Sequence, residues 1–201
     1  MLGNNYEIKQ AEFEKSSSRI GECPDTNHSE VAFIGRSNVG KSSLINLLTK
    51  RRKLAMISRK PGKTRLINHF LINEKWYLVD LPGYGWAQVS KTEVAKWEKM
   101  VHNYLLKREA LRMVFVLVDI RHDPQPSDVK MINWLGENGL PVGIVFTKTD
   151  KISKNKVAAS IKKFGQSLTK FWDQLPPTFK TSATKGEGRE ELLEYINKHC
   201  L

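Results

Sequence analysis

The sequence predicts an α/β fold: a doubly wound, mostly parallel sheet flanked by helices. Three observations predict it. Segments with strand patterning alternate with amphipathic helical segments along most of the chain, which implies parallel strands joined by right-handed crossovers. Two continuous apolar runs, Met113–Val118 and Val142–Phe146, read as central strands covered on both faces. Between the apolar Val31–Ile34 and a helical Ser43–Leu48 lies Gly35-Arg36-Ser37-Asn38-Val39-Gly40-Lys41-Ser42. A strand, a glycine loop and a helix N-terminus are what a phosphate site of this kind requires.

Residues 1–29 form a short extension. Tyr6–Phe13 alternates weakly, as an edge strand does, and Ser16–Ser18 with the polar 22–29 reads as loop. The domain proper is expected over 30–201, opening with the 31–34 strand, the glycine loop and the 43–48 helix. Leu66–Ile72 and Trp76–Asp80 read as strands joined across Asn73-Glu74-Lys75, a hairpin. Lys91–Lys107 carries Val94, Trp97, Val101, Tyr104 and Leu105 at helical spacing. A helix over 127–138 ends at Gly139, and the second apolar strand follows it. The chain closes with a basic amphipathic helix over 155–171, a short strand at 179–181 and a helix over 190–198. Trp97, Trp134 and Trp172 fall with other apolar residues at helical spacing and are expected in the core.

The composition bounds the partners. The chain has 201 residues, 40% hydrophobic and 27% charged, as expected of a globular domain with a sizeable core. No apolar run approaches the ~18 residues of a membrane span, and the N-terminus, with Glu7, Glu12 and Glu14, lacks the apolar core of a secretory signal. Cys23 and Cys200 fall in peripheral segments without metal-ligand spacing, so a reduced, cytoplasmic setting is expected. The formal charge of +12 favours a nucleic-acid partner over a merely solvated surface, because it is clustered. One cluster is Lys50-Arg51-Arg52-Lys53, another is Arg59, Lys60, Lys63 and Arg65, and a third is Lys151, Lys154, Lys156, Lys162 and Lys163.

In the glycine loop, G-x-x-x-x-G-K-S lets successive N–H groups wrap a phosphate. Lys41 then reaches the β- and γ-phosphates and Ser42 offers its hydroxyl to Mg²⁺. Three more segments follow strands in register with it. Asp80-Leu81-Pro82-Gly83 reads D-x-x-G: Asp80 would serve Mg²⁺ and the Gly83 amide the γ-phosphate. Thr147-Lys148-Thr149-Asp150 places a carboxylate where it accepts from guanine N1–H and N2–H₂, a donor pair adenine lacks, with the Lys148 stem along the base. Thr181-Ser182-Ala183 sits where a backbone N–H meets guanine O6. A fourth segment, Gly62, Lys63, Thr64, Arg65 and Leu66, offers Thr64 as a third Mg²⁺ donor and a γ-phosphate contact. Lys41, Thr64 and Gly83 are the candidate catalytic groups.

Five segments in the chain order phosphate loop, Thr64, D-x-x-G, T-K-x-D and Ser182-Ala183 resemble a Ras-like GTPase of the P-loop class. Residues 35–43, Pro61–Thr64, Asp80–Ala87 and Val118-Asp119-Ile120-Arg121-His122 together resemble the bacterial EngB family (YihA or YsxC). The resemblance implies a GTP-binding protein that acts in assembly of the large ribosomal subunit and is linked to septation and cell division. It also implies GTP hydrolysis with Mg²⁺, contact with a large-subunit precursor of rRNA and ribosomal proteins, and a monomer. Where Ras-like proteins carry a water-orienting glutamine, this chain has Tyr84, so unaided hydrolysis is expected to be slow. Asn38 leaves two readings open: a K⁺ ligand, as in several relatives, or an amide that structures the loop. Tyr84, Trp86 and Ala87 also leave two, core packing or an exposed partner patch. Arg121 and His122 read as family markers, and Arg36 as pointing outward.

Overall fold

In the computed structural model, the described residues are 7–51, 53–55, 66–85, 90–169 and 171–201. Among them are seven strands: β1 Ala11–Ser17, β2 Ser29–Gly35, β3 Ile67–Ile72, β4 Trp76–Asp80, β5 Leu111–Asp119, β6 Val142–Thr147 and β7 Thr178–Lys180. The helices are α1 Lys41–Thr49, α2 Lys91–Lys107, α3 Pro126–Glu137, α4 Lys154–Leu168 and α5 Arg189–His199. The strands form one sheet in the order β1-β3-β4-β2-β5-β6-β7. From β4 across to β7 every neighbouring pair is parallel, while β3 runs antiparallel to both β1 and β4. The doubly wound, mostly parallel sheet expected from the sequence is the one observed.

The apolar runs fill its centre. Val114, Val116 and Val118 of β5 face one apolar layer with Val101, Tyr104 and Leu105 of α2, Ile132 and Leu135 of α3, and Phe164 and Leu168 of α4. Phe115 and Leu117 face the other, with Leu44, Ile45 and Leu48 of α1 and Leu192, Leu193 and Ile196 of α5. Alternate residues of one strand thus serve opposite layers, as the two-residue period demands. Trp97 is buried, and Trp134 and Trp172 pack half-buried on the first layer. The Trp172 indole lies so close to Gly136 that a Cβ there would meet it at 2.5 Å.

Local chemistry sets the ends of the elements. Ser90 caps α2 by accepting the Glu93 N–H at 3.2 Å, and Ser153 caps α4 by accepting the Lys156 N–H at 3.4 Å. The hairpin between β3 and β4 turns on Asn73 and Glu74, both at positive φ (50° and 57°), the geometry of a tight β-hairpin turn. The Asn73 side chain ties the N-terminal segment to that turn: its Oδ1 accepts from Lys9 and Gln10 N–H, and its Nδ2 donates to Glu7 O.

Two expectations need correction. The edge strand spans Ala11–Ser17 rather than 6–13, so Ser16 and Ser17 are strand, not loop. Its pairing with β3 shifts register between Phe13 and Lys15, which breaks the alternation a sequence reading relies on. Polar partners hold it instead: Ser16 Oγ donates to Asn68 Oδ1 at 2.6 Å, and Tyr77 Oη donates to Glu14 Oε2 at 2.7 Å. The cysteines lie in terminal segments, yet both are buried, and burial pushes both thiols up, Cys200 to about 11.

Candidate nucleotide-binding site

In an open parallel sheet, ligands sit beyond the C-terminal ends of the strands. The segments leaving β2, β4, β6 and β7 all open on that end: 35–42, 80–83, 147–150 and 181–183. Gly62, Lys63, Thr64, Arg65, Trp86 and Ala87 lie outside the described residues; Leu66, just before β3, is exposed.

The phosphate loop is shaped by its neighbours. A Cβ on Gly35 would meet Leu117 O at 2.9 Å, and one on Gly83 would meet Gly35 O at 2.8 Å. Both positions therefore need glycine for close approach of two backbones. Ser37 N–H donates to Tyr84 O at 3.0 Å and Tyr84 N–H to Gly35 O at 3.2 Å, so the D-x-x-G turn lies flat against the loop. Gly40 precedes α1 at φ 109°, turning the chain into a helix whose first N–H groups lack intrahelical acceptors. Lys41 Nζ donates to Asp80 Oδ1, bringing together the phosphate loop and the D-x-x-G segment. Leu81 N–H continues the ladder to Phe33 O at 3.0 Å, and Pro82 O accepts the Trp97 indole N–H at 3.0 Å.

The other half of the site is built on β5, β6 and β7. Thr147 Oγ1 donates to Val39 O at 2.7 Å, tying β6 to the phosphate loop. Lys148, in the left-handed region at φ 61°, sends its ammonium to Asn38 O at 2.7 Å and Asp119 Oδ2 at 2.8 Å. Asp150 accepts from Ser182 Oγ at 2.7 Å and lies 3.3 Å from Lys151 Nζ. The Ser182 hydrogen bond leads in holding that carboxyl below its ordinary value. Thr149 N–H and Oγ1 both donate to Thr181 O, at 3.3 and 3.1 Å, while Ala183 is exposed at the rim.

Asp119, at the end of β5, was not among the predicted site residues, although it stands in the Val118–His122 segment. Burial pushes its carboxyl up, but hydrogen bonds from Arg121 and Lys148 outweigh that and hold it at about 2. It fixes the Lys148 stem in place. Tyr84 takes the core option of the two the sequence left open. It is buried, its ring meets Trp97 edge-on at 6.2 Å, and its hydroxyl donates to Asp128 Oδ1 of α3 at 2.8 Å. Burial raises the Asp128 carboxyl to about 6 despite that hydrogen bond and the nearby Arg36. A phenol so placed faces α3.

Comparison with known proteins agrees with this geometry. A family model described as a 50S ribosome-binding GTPase matches residues 30–148. A probable GTP-binding protein EngB of Phocaeicola vulgatus is 53% identical over 95% of this chain and 96% of its own length. The chain belongs to the EngB family of GTP-binding proteins. Its counterpart in Porphyromonas gingivalis is 52% identical over 95% of each chain. The crystal structure of a probable EngB superposes with a TM-score of 0.70 at 25% identity, covering 85% of this chain and 97% of that one. Era bound to MgGDPNP and a segment of 16S ribosomal RNA gives a TM-score of 0.67 at 27% identity, covering 86% of this chain and 57% of that one. EngB membership places the chain among GTP-binding GTPases. Among the described residues, no helix is long and apolar enough to cross a membrane.

Proposed function

We propose that this EngB-family chain is a slow GTPase switch in assembly of the large ribosomal subunit. It would act as a cytoplasmic monomer whose GTP-binding domain spans 30–201, with 1–29 as an extension. The observation that carries the nucleotide assignment is convergence: Lys41 lies on Asp80, and Asp150 on Ser182, at one end of the sheet. Lys41 and the loop amides of 35–42 would take the β- and γ-phosphates, Asp150 the guanine edge, and the Gly83 amide the γ-phosphate.

Ser42 and Asp80 are hard oxygen donors beside Lys41, a set that suits Mg²⁺, which keeps most of its ligands from phosphates and water. With Thr64 they would hold the ion, which when bound neutralises charge on the phosphates. Because Tyr84 is turned into the core, it does not stand in for a water-orienting glutamine. That supports slow turnover that depends on help. Asn38 is exposed at φ 64° with its carbonyl taken by Lys148, leaving K⁺ coordination to its side chain. Rates in matched KCl and NaCl test this, and equal rates would remove it.

The ribosomal reading rests on the family and on where the charge sits. Lys151, Lys154, Lys156, Lys162 and Lys163 are all exposed on or beside α4, and the first turn of α4 has no acidic residue. Lys154 and Lys156, in that first turn, oppose the helix dipole, so they suit a polyanion better than they suit the helix. Co-sedimentation with large-subunit precursors, with a GTP analogue or GDP at several salt concentrations, tests the proposal. The expected result is analogue-dependent, salt-sensitive binding. Nucleotide-independent binding would favour an RNA-binding scaffold. No binding would favour a regulator of a cell-division protein, in keeping with the family's link to septation.

A further inference from the structure

Arg189 lies outside the candidate nucleotide-site segments 35–42, 80–83, 147–150 and 181–183. It is the first residue of α5 and is 8% exposed. Its Nε donates to Leu47 O at 3.1 Å and Leu48 O at 3.0 Å, carbonyls in the last turn of α1. The last four carbonyls of a helix lack intrahelical donors and carry the negative end of its dipole. The main chain serves two of them: Lys50 N–H donates to Leu47 O, and Arg51 N–H to Asn46 O. The guanidinium takes Leu48 O and shares Leu47 O. Burial works against the charge, with only the fields of Glu190 and Glu7 opposing that. Apolar side chains of α1 and α5 already pack together in this layer, so adhesion alone does not call for a buried cation.

The same residue anchors the loop that follows β7. Gly188, just before it, is at φ +78°, and a Cβ there would meet Lys180 O at 1.9 Å. Ser182 and Glu187 pair across the loop through two N–H···O bonds of 3.1 Å. Ser182 Oγ then donates to Asp150. Contacts therefore run unbroken from the C-terminal end of α1 through Arg189, Gly188 and Glu187 to Ser182 and Asp150. The opposite end of α1 carries Lys41 and Ser42.

We propose that Arg189 is a positioning residue for nucleotide binding, one that sets the spacing between the phosphate loop and the Asp150–Ser182 pair. This rests on the reading of Asp150 as the acceptor of the guanine edge. Hydrogen bonds weaken steeply with misalignment, so a loosened clamp costs most at the base.

Calorimetric titration of the full chain with GDP and IDP tests it. IDP lacks the exocyclic amine, so the ratio of the two affinities reports how well Asp150 is aimed. Arg189→Met is expected to lower GDP affinity about tenfold and to compress the GDP-to-IDP ratio by roughly threefold. Arg189→Lys, which keeps the charge without the planar fork, is expected to recover part of both. If Arg189→Met does not fold, Arg189→Lys carries the comparison. An unchanged ratio, with both affinities falling together or only the melting temperature lowered, would overturn the proposal. Asp150→Asn is titrated alongside. If it collapses the ratio while the Arg189 variants leave it unmoved, the clamp fails and the base reading stands. If Asp150→Asn leaves the ratio unmoved, the base reading itself fails.

Discussion

The two ends of the sheet use charge in opposite ways. Where the parallel strands end, Lys41 pairs with Asp80, Lys148 with Asp119 and Lys151 with Asp150, each pair keeping some access to solvent. Toward the strands' starts, beneath α2, Glu30 and His69 are fully buried. Glu30 accepts from Tyr104 Oη at 2.6 Å and Arg108 at 2.5 Å, with His69 Nε2 at 3.3 Å. Arg108 also donates to Pro24 O at 2.7 Å, so the network ties the N-terminal extension to the sheet. The pairs at the strand ends can exchange a protein partner for a phosphate or a base. The buried network has no such partner to gain. The same residue types would thus serve binding at one end and stability at the other, and their place relative to the strand ends tells them apart.

Removing one member at each end should separate the two roles. The largest effect is expected at the buried end. Glu30→Gln leaves Arg108 without its carboxylate and should lower unfolding free energy by about 4 kcal/mol, read by urea denaturation of the nucleotide-free chain. Burial pushes the Glu30 carboxyl up, but the nearby His69 and hydrogen bonds from Arg108 and Tyr104 outweigh it and hold it at about 2. A depressed carboxyl stabilises above its unfolded value. Its contribution, roughly 3 kcal/mol, is complete above about pH 5 and lost as pH falls toward 2. Lys41→Ala should do the reverse of Glu30→Gln: little change in denaturation midpoint, but about a hundredfold loss of GDP affinity by calorimetry.

Much of this division was legible in advance. Apolar runs at Met113–Val118 and Val142–Phe146 announced a two-layer sheet, because continuous apolarity has no other use in strands of that length. Glycine spacing at Gly35 and Gly40 announced the phosphate loop, because close backbone approach excludes a Cβ. What stayed hidden depends on tertiary neighbours. Ser16 and Ser17 look like loop until β3 supplies Asn68. Asp119 is one more acid until Lys148 arrives from the next strand. Arg189 reads as an ordinary first-turn residue until α1 is laid beside it. Nothing local to Glu30 distinguishes it from the exposed Glu12 in the preceding strand.

Smaller effects should sharpen the comparison. Asp119→Asn frees the Lys148 ammonium from its strongest partner and should weaken GDP binding about tenfold, with a smaller cost to folding than Glu30→Gln because Asp119 keeps some access to solvent. Tyr84→Phe tests the boundary between the two ends, since Tyr84 touches the phosphate loop by its backbone and α3 by its hydroxyl. Losing the hydrogen bond to Asp128 should cost about 1 kcal/mol of stability at neutral pH, read as a lower melting temperature. Because burial lifts Asp128 to about 6, the folded state binds its proton more tightly than the unfolded chain does. The cost of that buried charge is relieved as pH falls from about 6 toward 4, so the gap between Tyr84→Phe and wild type should narrow there.

On the proposed function the nucleotide end is built for guanine, with Asp150 held in place by Ser182. The most direct measurement is the affinity of wild type and Asp150→Asn for GDP and XDP. An asparagine at that position can donate to the xanthine O2 where the carboxylate accepted from the guanine amine. The prediction is a reversal, with GDP binding strongly reduced and XDP binding gained. Unchanged GDP affinity in Asp150→Asn would contradict it.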